Sequence, residues 1–319
     1  PGPSDGPSDA AGVRRARVGS GTVLLGDDLD ALLAAASVPR ETLVDAGLGV
    51  VRRRRAGGTD WLIVNPGDRV VDGWVPLADR PGTPPVAAAL FDPMSGRTGV
   101  AELRRRGSSP AEARLRLEPG QSVVVRGYDT PIEGPAFPYF RPGGPPRPLA
   151  GTWRITFRDG GPSLPPPFET DRLTSWTERG DTAATRAFSG LATYTLRFPR
   201  PEGAPARWRL DLGDVRESAR VRMNGHDLGV LIGPGYHVDI DPALLRDTNT
   251  LEVDVASLMA NRVAAMDRRG EGWKRFYNVN FPARLRENVG PDGLFDASGW
   301  PPLPSGLLGP VTLTPMERP

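Results

Sequence analysis

Residues 273–280 (WKRFYNVN) gather recognition chemistry into eight positions. Trp273, Phe276 and Tyr277 offer aromatic faces, Lys274 and Arg275 offer cations, and Asn278 and Asn280 offer amides. Apolar faces joined to a few convergent polar groups are what an oriented, hydroxyl-bearing ligand such as a sugar requires. The candidate carbohydrate contacts are therefore Trp273, Lys274, Tyr277 and Asn280, with Asn261 and Arg262 upstream and Trp176 further off. Trp300 is a further candidate, although it reads, with Trp153 and Trp208, more readily as a core or loop-anchoring aromatic.

Bond cleavage would need more. Hydrolysis of a glycoside uses two carboxyl groups across the scissile bond, about 5–5.5 Å apart for retention and about 6.5–9.5 Å for inversion. Among 38 acidic residues, Asp211, Asp239, Glu252 and Asp254 alternate with apolar neighbours and read as the wet face of strands. Asp267 and Glu271 lie in an aperiodic stretch and are the carboxylates worth examining, with a structural role favoured for both. No catalytic residue is assigned. The two histidines, His226 and His237, lack metal-ligand spacing, and neither an HExxH nor a GxSxG motif occurs. Calcium around Asp239 and Asp241 is the one metal conceivable, without a pattern to support it. No cofactor is implied.

The elements that must position these residues are mostly strands. Gly (39) and Pro (36) are abundant without a period, which fits many short strands joined by turns rather than helices. Residues 1–15 read as a low-complexity linker. Residues 16–47 read as a strand–helix remnant of an upstream α/β domain, with Asp27 or Asp28 capping a helix whose apolar residues are Leu29, Leu32, Leu33 and Ala36. Residues 48–128 read as a small antiparallel β-sandwich, and 129–150 as a proline-rich extended linker. Residues 151–316 carry seven or more short strands. The Asn224-Gly225 pair between two of them marks a tight hairpin. That is the pattern of a jelly-roll sandwich. Residues 257–305 show no period and read as a long irregular excursion.

Composition excludes some classes. No apolar run is long enough for a membrane helix, and the absent cysteine rules out a disulfide framework. Net charge is +2, Lys274 is the sole lysine, and the arginine runs at 52–55 and 104–106 lack interleaved aromatics, so nucleic acid is not an expected partner. The chain opens on Pro1, which reads as the start of a processed or excised segment with any export signal upstream.

Several pieces together resemble a known family: Phe188-Ser189-Gly190, Ala192-Thr193-Tyr194, Leu210-Asp211-Leu212-Gly213, Val221-Arg222-Met223-Asn224-Gly225, Tyr236-His237-Val238-Asp239-Ile240, Asn249-Thr250-Leu251-Glu252-Val253 and Asn261-Arg262. Further on come Asp267-Arg268-Arg269-Gly270, Trp273-Lys274 and Ser305-Gly306-Leu307-Leu308-Gly309-Pro310. The chain resembles the C-terminal region of α-L-rhamnosidase-like glycoside hydrolases of family 106. Its last domain resembles the sugar-binding-like jelly roll shared with family-2 glycosidases. Residues 16–125 match the preceding region more loosely. Ile232, where many relatives have an aromatic, departs from the pattern, as does Ser257-Leu258-Met259 in place of Asn-Leu-Trp.

The resemblance implies a mainly β chain of two sandwiches, the second galactose-binding-like. It places catalysis in an upstream (β/α)-barrel, and no eightfold strand–helix alternation occurs in these residues. The expected role is a non-catalytic accessory region of a glycosidase acting on plant or bacterial polysaccharide, with the barrel and an oligosaccharide as partners. The resemblance favours a secreted or periplasmic location. Two other readings stand beside it: a free-standing lectin-like module, and a structural or assembly sandwich.

Overall fold

The computed structural model describes residues 12–38, 41–77, 84–107, 109–179, 183–233, 235–274 and 285–318. The chain divides into two compact units, Pro1–Tyr139 and Phe140–Pro319. Both are antiparallel and mainly β.

The first unit opens with a hairpin of Arg14–Val18 and Gly21–Leu25. Helix α1 (Leu29–Ala35) follows, capped by the Asp28 carboxylate, which accepts the Asp30 and Ala31 amides at 2.8 and 3.3 Å. The Thr42–Ala46 stretch is a 3₁₀ turn whose Leu43 is wholly buried. A five-stranded sheet runs in the order Gly49–Arg55, Gly58–Val64, Ser122–Tyr128, Ala87–Phe91, Thr98–Val100. A three-stranded sheet pairs Val71–Leu77 with Ala111–Leu117, and that strand with Leu103–Arg104. Trp61, Ile63, Leu90 and Val125 of one sheet bury against Leu77, Ala113, Leu115 and Leu117 of the other. Strict alternation along Ala111–Leu117 puts its odd residues inside and its arginines outside, where Arg114 and Arg116 both pair with Asp72.

In the second unit a six-stranded sheet has the order Phe168–Thr170, Trp153–Gly161, Ser189–Pro199, Thr248–Ala256, Ser218–Met223, His226–Ile232. Against it lies a sheet built on Arg207–Asp211, flanked by Thr312–Glu317 and His237–Ile240. Register turns the central strand into rows: Ala192–Val255–Ala219, Tyr194–Val253–Val221 and Leu196–Leu251–Met223. All nine of these residues are buried with Trp208, Leu210, Ile240 and Leu313 of the facing sheet. Each Val, Leu, Ile or Met side chain among them contributes about 1.5–3 kcal/mol on burial. The opposite face carries a polar ladder, in which Asp254 accepts the Thr193 hydroxyl at 2.7 Å and pairs with Arg222 at 2.9 Å.

The proline-rich stretch is stitched down on both sides of Tyr139. Phe137 and Tyr139 stack edge to face at 5.2 Å and pack on the first core, and the Tyr139 hydroxyl donates to the Arg114 carbonyl at 2.9 Å. Arg141–Pro142 and Arg147–Pro148 pair with the edge of Thr312–Glu317. Proline fits there because an edge strand leaves one row of amides unused.

Some elements differ from the sequence expectation. Gly49–Arg55 is a strand although its arginine run hides the alternation. The excursion at 257–305 contains a helix, Ala260–Arg268. Its nine residues give too few turns for a periodic signal, and no side chain caps its start. No helix among the described residues is long and apolar enough to cross a membrane.

Candidate functional site

Two glycines bring the excursion to the sandwich. Gly160 and Gly190 face each other across Trp153–Gly161 and Ser189–Pro199 with φ of 133° and 159°. A β-carbon on Gly190 would collide with the Asp159 carbonyl oxygen, so only glycine permits this approach. The adjoining Ser189 hydroxyl accepts the Arg262 amide at 3.2 Å. Gly190 itself bonds Ser257 through its amide and carbonyl, which fixes where the helix Ala260–Arg268 begins.

Asn261 then clamps the returning chain. Its amide nitrogen donates to the Leu303 carbonyl at 2.9 Å and the Ser305 hydroxyl at 3.2 Å, and its oxygen accepts the Leu303 amide at 2.8 Å. Asn261 is 4% exposed, so its polar groups are spent inside the fold. Arg262 is half-buried against Gly161, where a β-carbon would meet the guanidinium carbon at 2.7 Å.

Asp267, at the other end of the helix, is the hub. Its carboxylate accepts the Trp273 indole N–H at 2.7 Å and the Ala297 amide at 2.8 Å, and it lies 3.3 Å from the Lys274 ammonium. The next residue, Arg268, donates to the carbonyls of Ser298 at 2.9 Å and Trp300 at 2.6 Å. The Trp300 indole reaches back to Asn288 at 2.7 Å. These bonds hold three half-buried rings in a row. Trp273 and Phe295 lie 6.2 Å apart at 88°, and Phe295 and Trp300 lie 5.5 Å apart at 77°. Beside them, the Ser298 amide and hydroxyl, with Lys274 beyond, hold the Asp296 carboxyl below its ordinary value.

The structure thus brings Trp273 and Lys274 together with Phe295 and Trp300. It places Asn261 and Arg262 at the start of the same helix, facing the sandwich. Tyr277 and Asn280 lie outside the described residues. Trp176 is corrected: it is fully buried, edge to face with Phe157 and Phe188 at 5.6 Å each, and offers no face to a ligand. Phe295, Arg268 and Asn288 were not anticipated. Only an aromatic within the Gly- and Asp-rich run 290–299 hinted at them.

The carboxylates of this platform hold structure. Asp267 is spent on three donors, and Glu271 pairs with Arg269 at 2.5 Å, which lowers its carboxyl from the ordinary value. The strand-face acid Asp239 is likewise engaged by Arg209 at 3.0 Å, and Asp241, at the start of the Pro242–Leu244 turn, by Arg207. Those pairs occupy the two carboxylates considered for calcium. Among the described residues no group of three or more His, Asp or Glu side chains is arranged to hold a metal.

No family model matches the chain. A rhamnosidase from Novosphingobium sp. PP1Y superposes over 97% of this chain with a TM-score of 0.66 and 26% identity. The relationship is to glycoside hydrolases. A protein of Formosa agariphila whose name proposes beta-glucuronidase activity is 30% identical over 118 residues, 36% of this chain. The Bifidobacterium dentium beta-glucuronidase shares 26% identity over 34% of this chain, at a TM-score of only 0.29 that carries no weight. The chain spans 28% of the rhamnosidase and 10% of the Formosa agariphila protein.

Proposed function

We propose that this chain is a non-catalytic accessory region of an α-L-rhamnosidase-like glycoside hydrolase, buttressing a catalytic barrel that precedes it. The observation that carries this reading is the superposition of nearly the whole chain on little more than a quarter of a rhamnosidase. The chemistry agrees, because the platform's acids are consumed by their own amides, indole and cations. In this reading the Trp273–Phe295–Trp300 row, with Lys274 beside it, meets the barrel or edges its active site. A purely structural cluster would be wholly buried, whereas these rings are each partly exposed.

The test is turnover. Purified chain, shown to be folded by its denaturation profile, is assayed against aryl α-L-rhamnosides. No release of the aryl group above background is expected. Hydrolysis that scales with protein concentration would sink the proposal.

A further inference from the structure

We infer that the cleft beside the Asn224-Gly225 hairpin binds an anionic sugar residue, with Arg246 holding its carboxylate. The cleft measures about 340 Å³ and is lined by Met223, Asn224, Gly225, His226, Leu244 and Arg246, together with Ala243. That volume lies in the range of small-ligand sites, about 300–1,000 Å³.

Its frame is rigid, and its amides are already used. The Asn224 side chain donates to the Leu244 carbonyl at 2.8 Å and to the Asn249 side-chain oxygen at 2.9 Å, and it accepts the Thr250 amide at 2.8 Å. Asn249, wholly buried, bonds both the amide and the carbonyl of Arg246 at 2.9 Å. Hairpin and loop are therefore locked to each other before any ligand arrives, so binding orders little backbone. Met223, fully buried at the end of its strand, backs the cleft, and the accessible Ala243 and Leu244 give it an apolar wall.

Two side chains are left to meet a ligand. Arg246 and His226 are exposed, and neither guanidinium nor imidazole has a hydrogen-bond or ion-pair partner among the described residues. Two nearby arginines are neutralised. Arg220 pairs with Asp227 at 2.6 Å and Arg207 with Asp241. No carboxylate lines the cleft. An unopposed guanidinium beside an apolar wall fits a planar carboxylate bidentately. A sugar acid supplies that carboxylate, a C–H face for Leu244 and hydroxyls for His226. The choice of a sugar as carrier rests on the glycan context proposed above.

The experiment is calorimetric titration of the whole chain with trigalacturonate and with its fully methyl-esterified form. Saturable binding of the acid alone is expected. Arg246→Ala should weaken it about tenfold or more, as loss of a charge-assisted hydrogen bond does, while Arg246→Lys retains part of it. The thermal midpoint should not move, because the Arg246 backbone bonds to Asn249 persist. Failure of the acid to bind, equal binding of the ester, or binding indifferent to Arg246→Ala would each overturn the inference. None of these outcomes touches the accessory reading, which turnover decides.

Discussion

Replacing Asp267 with alanine tests whether one carboxylate holds the aromatic platform together. The substitution strips the acceptor from the Trp273 indole and the Ala297 amide and removes the partner of Lys274. Ala297 is fully buried. Its amide therefore bears the full cost of a lost bond to a charged group, about 1.5–3 kcal/mol. The Trp273 indole is half-exposed and recovers some hydration, so about 1 kcal/mol is lost there. The Lys274 side chain is 24% exposed, and its ion pair adds at most about 1 kcal/mol. The sum is about 2.5–5 kcal/mol. Among the described residues no strand of the sandwich bonds Asp267, so the loss should appear as local opening of 285–300. Hydrogen exchange is the assay: the Ala297 and Asp296 amides should exchange about a hundredfold faster or more in Asp267→Ala, while the Val253 amide keeps its protection. Asp267→Asn should fall between, since it keeps one acceptor and turns a donor toward the other N–H. Unchanged exchange at Ala297 in the alanine variant would refute the hub.

Other expectations follow from the same contacts. Trp176→Ala should destabilise the second unit by about 3–5 kcal/mol in urea denaturation, because the ring is wholly buried against Phe157 and Phe188; a cost below 1 kcal/mol would contradict its core placement. Gly190→Ala should lower the thermal midpoint far more than Gly225→Ala, since a β-carbon at Gly225 meets nothing within 4 Å whereas one at Gly190 strikes backbone. At Asp92, burial pushes the carboxyl up, but the Ser95 hydroxyl, the Met94 amide and Arg97 together outweigh it and leave the group below its ordinary value. Its contribution is therefore present above the unfolded value and lost as pH falls through the folded one. Asp92→Asn should flatten the acid limb of stability below about pH 4. At the alkaline end, burial raises the Tyr139 hydroxyl to about 12. Stability should accordingly fall as pH rises from about 10 toward that value, and Tyr139→Phe should blunt the fall in alkaline melts.

The sequence disclosed what repeats and concealed what is made of single contacts. Alternation in Arg114–Leu117 and Leu251–Val255, and the Asn224-Gly225 turn, gave the sandwiches because strand burial has a period of two. The edge Gly49–Arg55 escaped because an edge strand with exposed Val51 and Arg53 needs no apolar face. Helix Ala260–Arg268 escaped because its start is set by Gly190, Ser189 and Ser305, remote in the chain. At the site, Trp273 and Lys274 were legible by their density. Trp176 looked the same as a sequence letter but sits in the core. Asp267 was singled out by exclusion, yet its partners Ala297 and Trp273 lie 30 and 6 residues away and are visible only in three dimensions.

The central proposal is that the two sandwiches serve a catalytic domain upstream of them. The most direct measurement is the thermal inactivation half-life of rhamnosidase activity in a protein that carries the proposed barrel upstream of this chain, produced with and without the chain. The account predicts a shorter half-life without it, restored in part when the purified chain is added back, with the chain alone inactive. Equal half-lives in the two preparations would contradict it.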